Sequence, residues 1–213
     1  MKKISILIVL IAFLAKLNAQ ELKSIVLNSP DKTRGLSVMQ AFEKRASASA
    51  FSGDKLKIQD LSDLLWAADG INRPELKKRT APSAMNAQDI DIYVFMMEGV
   101  YLYNAAINIL EPIVSGDQRL LVAGRQTEFA NAAVILLMVS DLSRFPGNDD
   151  AGKLSMAAMD AGLVSQNISI FCAGVGLITR PRATMDQVKL REILKLKDSQ
   201  HPLLNNPVSY PVK

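Results

Sequence analysis

The densest apolar pattern in the chain runs from Leu154 to Ala173. It contains no Pro and few polar residues, chiefly Asp160, Ser165, Gln166 and Asn167. A helix that is apolar nearly all round is one buried on all sides. At about 1.5 Å per residue this one would span about 30 Å. Gly174 and Gly176 follow it as C-cap glycines. Leu177–Thr179 then reads as a short strand, and Arg180-Pro181-Arg182-Ala183 leaves it as a loop with two fixed charges. Such a helix can deliver a loop to a ligand; taken alone, it can equally end in a basic surface turn.

The rest of the chain alternates between the two periods. Leu36, Met39, Ala41 and Phe42 fall on one face of a helix ending at Lys44. Arg45, Ser47 and Ser49 follow at alternate positions, so an extended segment points all three to one side. A guanidinium with two hydroxyls suits a phosphate. Ser62 or Asp60 can cap a helix whose buried face is Leu61, Leu64, Leu65 and Ala68 and which ends at Asp69-Gly70. Trp66 reads as core. Asn72–Arg79 is a charged loop, and Thr80–Gln88 is small and turn-forming. Ile90–Met97 predicts a buried strand, turned by Glu98-Gly99 into Val100–Tyr103. Ile109–Val114 reads as a short strand broken by Pro112, and Asp117–Ala123 as a helix ended by Gly124. Ala132–Val139 is a continuous apolar run, hence a central strand buried on both faces. Asp141–Asp150 reads as a loop, and Asp186 caps a last helix through Leu194. Lys195–Lys213 reads as a tail in which Val208–Tyr210 could add an edge strand. The sum is an α+β fold, a small, mostly antiparallel sheet wrapped by helices. The long helix needs more cover than so small a sheet offers, which points to a homodimer through helices.

The first residues change the charge picture. Met1-Lys2-Lys3, an apolar run from Ile4 to Ala15 and Lys16-Leu17-Asn18-Ala19 have the order of a secretory signal peptide cut near Ala19. The apolar run is short for a transmembrane helix. The expected organisation is therefore a signal peptide, 1–19, and one domain, 20–213, exported to a bacterial periplasm with no membrane attachment after cleavage. The whole chain has 25 Lys+Arg and 21 Asp+Glu. Without Lys2, Lys3 and Lys16, 22 basic residues face 21 acidic ones, so the net charge falls from +4 to +1. That excludes charge as an argument for a nucleic-acid partner. Cys172 is the single cysteine and His201 the single histidine. No internal disulfide or cysteine metal cluster can form, and no metal site is expected. A Ser-His-Asp site would depend on a histidine that precedes Pro202 in a polar tail.

Three separated stretches resemble the nitroreductase-like flavoproteins, and within them the SagB-type (thiazoline and oxazoline dehydrogenase-like) branch. Lys44–Phe51 is similar to the family's Arg-x-Ser-x-(Arg/Lys)-x-Phe segment, Arg79-Thr80-Ala81-Pro82-Ser83-Ala84 to its Arg-Thr-x-Pro-Ser-Ala/Gly segment, and Gly176-Leu177 through Arg182 to its Gly-Leu strand and following loop. Tyr210-Pro211 resembles a Gly-Tyr-Pro near the end of many members.

The resemblance implies a nitroreductase-like fold, with the long apolar helix at a dimer interface and FMN between the subunits. It implies an FMN-dependent oxidoreductase acting on a small-molecule substrate by hydride transfer at flavin N5. The alternative is a binding module on the same fold whose catalysis has lapsed. By resemblance, Arg45, Ala46, Ser47 and Ser49 lie at the phosphate and ribityl chain. Pro82, Ser83, Ala84, Met85 and Asn86 wall the ring, and Pro181, Arg182, Ala183 and Thr184 offer backbone amides to it. Two departures stand out. Ser49 replaces a family cation, for which Arg182 could substitute unless it binds phosphate instead. Met85-Asn86 replaces a small Gly-Ala. No catalytic acid or base is assigned: Asp160, Asp186 and Tyr103 read as caps or packing. Cys172 reads as a buried small hydrophobe.

Overall fold

The structure, a computed structural model, describes residues 22–212. The expected signal peptide, Met1–Ala19, lies outside the described residues. In chain order the elements are β1 (Ile25–Val26), α1 (Val38–Lys44), α2 (Ile58–Asp69), β2 (Ile71–Arg73), β3 (Lys78–Arg79), β4 (Ile90–Phe95), β5 (Gly99–Asn104) and β6 (Ile109–Ser115). Then come α3 (Arg119–Ala123), β7 (Val134–Asp141), α4 (Asp150–Val175), β8 (Ile178–Thr179), α5 (Gln187–Ile193) and β9 (Gln200–Ser209). Seven strands form one sheet in the order β1-β6-β5-β4-β7-β9-β8. Each neighbouring pair is antiparallel. The fold is the expected α+β arrangement, with a larger sheet than the pattern predicted.

β7 is buried along its whole length, between β4 and β9. Its side chains alternate between two cores, as a period of two requires. Leu136 and Met138 pack with Leu64, Leu65, Val94, Val164 and Ile168 beneath α2 and α4. Ile135, Leu137 and Val139 pack on the other face with Phe51, Phe95, Phe129, Leu190 and Leu194, around α3 and α5. The β4–β5 turn closes with Met96 N–H donating to the Gly99 carbonyl at 2.9 Å. A Cβ on Gly99 would stand 2.5 Å from the Val114 carbonyl oxygen of β6, so only glycine fits.

Four expectations are corrected. The C-terminal tail is β9, ten residues long and flanked by strands on both sides. Asn205 exchanges backbone bonds with Arg182 at 2.7 and 2.8 Å, on the side away from β7. By strand parity the Pro207 nitrogen faces that same side, so its missing N–H removes no bond from the β7 ladder. Pro202 sits where the register with β7 shifts. Pro112 does not break β6: it pairs with Tyr101 at a register shift, on a strand covered only at Ile109 and Leu110 by β1. Neither Asp60 nor Ser62 caps α2, which begins at Ile58. Both lie inside it, where Asp60 pairs with Arg34 at 2.7 Å and the Ser62 hydroxyl accepts the Asn28 N–H at 2.9 Å.

The fourth correction concerns α4. It starts at Asp150, four residues earlier than expected, capped by Asp149 accepting from Gly152 N–H. It runs through Gly174 to a left-handed Gly176 at φ +79°. It is not buried on all sides within one chain. Ala161, Val164, Ile168 and Cys172 face the core beneath the sheet and α2, Ala157 packs on Leu142 and Phe145, and Leu154, Met159 and Leu163 are exposed. Small α1 packs on its C-terminal half through Ala41, close to Gly174, and leaves Val38, Met39 and Phe42 in solvent.

Candidate functional site

The capping box of Ser37 and Gln40 starts α1, and Arg45 ends it with its N–H on the Ala41 carbonyl at 2.9 Å. Beyond it the chain is extended. Ser47 bridges Thr179 of β8 in parallel, and Ala48 N–H donates to the Thr179 carbonyl at 3.0 Å. The predicted alternation is visible only around Ala48. Ala48 turns half inward, while Arg45, Ser47 and Ser49 are exposed, as is Ala46.

The two arginines after β8 have different fates. Arg182 is buried, and its guanidinium donates to the carbonyls of Val122 and Ala123, to Asn205 Oδ1 and to Gln126 Oε1, at 2.8–3.4 Å. Its face lies 4.3 Å from the Phe129 ring. All its nitrogens are committed, so it can neither bind phosphate nor replace the cation missing at Ser49. Arg180 is exposed and reaches the Ala48 carbonyl at 3.4 Å, directly against the Arg45–Ser49 segment. From the sequence both arginines are fixed charges of one loop with equal standing, because the long-range bonds that take up Arg182 come from α3, β9 and Gln126.

The loop after Arg180 supplies fewer amides than expected. Pro181 has none, and Arg182 N–H is used by Asn205. Ala183 and Thr184, both exposed, remain.

The third stretch lies elsewhere. Arg79 in β3 anchors its start, with Nη1 on the Asp69 carbonyl at 2.9 Å and Nε on Gln88 Oε1 at 3.1 Å. Ala84 N–H donates to both oxygens of Asp160, halfway along α4, at 2.9 and 3.1 Å. Ser83 Oγ accepts Gln88 N–H at 2.9 Å. Pro82, Met85 and Asn86 are exposed, while Ser83 and Ala84 are half-buried. Met85 stands at φ +53°, with Asn86 and Gln88 also left-handed. That conformation favours glycine and costs a side-chain-bearing residue roughly 1–2 kcal/mol. Met85 nevertheless keeps 64% of its surface in solvent, so no local packing offsets the strain.

Under this loop lie three buried carboxyls, Asp69, Asp89 and Asp160, and Arg79. They line a cavity of about 10 Å³. Burial pushes the Asp69 carboxyl up to about 8, and Arg79 at 3.3 Å offsets only part of that. Tyr103 is raised to about 12, first by burial. Asp186 caps α5 by accepting from Lys189 N–H, and burial raises the Cys172 thiol far above its usual range. None of these groups is an exposed acid or base. Among the described residues no helix is long and apolar enough to cross a membrane, and no three His, Cys, Asp or Glu side chains converge as a metal site.

Two exposed loop systems therefore flank α4, one at Asp160 and one just past its C-terminus. Fifteen residues of helix separate Asp160 from Val175, roughly 20 Å. Within one chain they do not meet.

The profile of the Nitroreductase family matches residues 42–210. The chain is 30% identical over 175 residues to a nitroreductase-like protein of Methanocaldococcus jannaschii, covering 78% of this chain and 86% of that one. The crystal structure of a nitroreductase-like protein from Ralstonia eutropha JMP134 superposes with a TM-score of 0.84 at 28% identity, covering 92% of both chains. The microcin synthetase McbBCD complex of E. coli shares the fold at a TM-score of 0.71 and 20% identity, covering 95% of this chain and 82% of that one. A Staphylococcus epidermidis protein described as an NAD(P)H:FMN oxidoreductase shares it at 0.61 and 13%, with 87% and 92% covered.

Proposed function

Because this chain belongs to the nitroreductase family, we propose that it is an FMN-dependent oxidoreductase, exported, whose two exposed loop systems are halves of a flavin site completed by a second copy. The observation that carries the reading is the separation along α4. Each half is open to solvent, and exposed apolar side chains lie on the elements beside both, Val38, Met39 and Phe42 on α1 and Met159 and Leu163 on α4. A homodimer that covers those side chains would bring the Arg45–Ser49 segment of one copy toward the Pro82–Asn86 loop of the other.

The residues fit the cofactor. Arg45, Ser47 and Arg180 present two cations and a hydroxyl for a phosphate, and Ser49 adds a second hydroxyl. The N–H groups of Ala183 and Thr184 and the backbone at Pro82–Asn86 can border the ring. FMN held there would supply hydride transfer at N5, and the protein would bind it and tune its charge. With no exposed acid or base in the site, the side chains act by holding and orienting.

The SagB-type branch and a small-molecule substrate follow from the resemblance of the three motifs. Export adds a constraint: nicotinamide donors belong to the cytoplasm, so a dehydrogenation that feeds electrons to another carrier fits an exported member as well as a nitro reduction does. Fractionation of the producing cells checks export, since a cytoplasmic protein that retains the residues before Gln20 would contradict it.

The decisive measurement is the visible spectrum of the chain from Gln20 onward, titrated with FMN. A yellow protein with about one FMN per chain is expected, and Arg45→Ala should bind FMN about 10- to 100-fold more weakly, the equivalent of a charge-assisted bond of about 1.5–3 kcal/mol. A colourless chain that takes up no FMN would favour the lapsed binding module, marked by Ser49 and Met85.

A further inference from the structure

The carboxyl cluster beneath the Pro82–Asn86 loop contains one buried atom without a partner among the described residues. Asp89 opens β4 and has no exposed surface. Its Oδ2 accepts the Ser140 hydroxyl at 2.5 Å, but its Oδ1 has no hydrogen-bond partner. Asp89 lines the same small cavity as Asp160, whose carboxylate takes the Ala84 N–H. An unpaired buried polar oxygen is costly. Two facing carboxyls in one buried site resist ionising together.

Asp160 already has a donor, since the backbone N–H of Ala84 reaches both its oxygens. Asp89 has none on Oδ1 and is the member that takes up a proton early as the pH falls: its carboxyl is raised to about 6, first by burial and also by Asp160, with Ser140 pulling the other way. A proton on Oδ1, donated to Asp160, would satisfy the orphan oxygen and remove the repulsion at once.

We propose that Asp89 and Asp160 are a positioning pair that shares one proton, and that this proton holds the Pro82–Asn86 loop in place. The other charged groups around Asp89 are Asp69 at the end of α2, Arg79 on β3, Asp91 on β4, Asp141 on β7 and Arg144 just beyond it. Arg79 is turned to the Asp69 carbonyl and Gln88, and Arg144 to Asp91, so neither cation neutralises the pair. When the proton leaves, two anions face each other across the cavity and the bond from Ala84 N–H to Asp160 loosens. The loop is already strained at Met85, Asn86 and Gln88, so this polar tie to α4 weighs heavily. For the ligand of this loop the proposal rests on the flavin reading above; the shared proton and its hold on the loop do not.

The test is hydrogen exchange of the Ala84 amide and its neighbours through Gln88, in the chain without flavin, from about pH 3.5 to about pH 8, corrected for intrinsic exchange. Protection in the parent should fall about a hundredfold as the pH rises from the ordinary carboxyl value of 3.8 to about 6, and level off above it, because there the closed and open loops are both ionised. Asp89→Asn copies the protonated shape, with a neutral N–H for Asp160 and an oxygen for Ser140. Its protection should stay high and flat. A flat parent profile, or an unchanged slope in Asp89→Asn, overturns the proposal. If the chain takes up FMN, its dissociation constant should rise over the same range in the parent and not in Asp89→Asn; a pH-independent constant would overturn the link from loop to ligand alone. A chain that binds no FMN would sink the flavin reading and leave the exchange result to decide the shared proton.

Discussion

Two residues separated by one proline carry opposite duties. Arg180 touches the Arg45–Ser49 segment from the surface, whereas Arg182 is spent on α3, β9 and Gln126. Arg180→Ala should change thermal stability little, since an exposed contact is worth under about 1 kcal/mol, yet weaken FMN binding about tenfold or more. Arg182→Ala strips several buried acceptors of their donor and should cost about 3 kcal/mol or more, enough to lower the denaturation midpoint sharply. Calorimetry with an FMN titration on both variants separates the two duties, and equal effects would refute the distinction. Met85 is the other telling position. Met85→Gly removes a left-handed penalty of roughly 1–2 kcal/mol but restores about 0.4–1 kcal/mol of unfolded-state freedom. The net should be a stabilisation of up to about 1.6 kcal/mol, read in a denaturant titration; a destabilised variant would mean that the Met85 side chain makes a contact worth more than the strain.

The elements show where the sequence could be read and where it could not. β4 and β7 were legible because each carries its burial in its own period: Ile92 and Val94 alternate with Tyr93 and Phe95, and β7 is apolar throughout; α4 was legible as a long helix without Pro, though not its start at Asp150, its passage through Gly174 or its exposed face. The turn chemistry of Gly99 and the cap at Asp186 were legible for the same local reason. β9 was not. Its Asn205 and Asn206 are buried and its two prolines argue against an inner strand, so residue by residue it looks like a tail. What makes it a strand lies far away in the chain: Arg182 satisfies Asn205, while Ser165 and Thr179 satisfy Asn206. In the site, the exposed Arg45, Ser47 and Ser49 were legible from spacing, but the choice between Arg180 and Arg182 was not, because it is made by α3 and β9. The buried pair Asp89 and Asp160, 71 positions apart, gave no local signal at all.

At the scale of the whole molecule, the exposed faces of α1 and α4 argue for a second copy. Exposed apolar surface on a folded chain is a candidate interaction site, and the proposed flavin site calls for one. Leu163→Glu should convert a dimer into a monomer in sedimentation at micromolar concentration, and FMN uptake should disappear with it while the circular dichroism of the chain is preserved. A dimer that survives this charge would place the interface elsewhere. A monomeric variant that still binds FMN fully would show that one chain suffices.

The position of β9 in the sheet has a further consequence, one of timing. Its partner β7 ends at Asp141, yet the hydrogen bonds on that side of β7 wait for a segment that ends at Ser209. During synthesis, at about 5–20 residues per second, β7 has no strand on that flank for several seconds. An unpaired apolar strand edge is a template for another chain. The nascent protein is therefore prone to aggregate until β9 has been made, and a product truncated ahead of Gln200 would keep that hazard permanently.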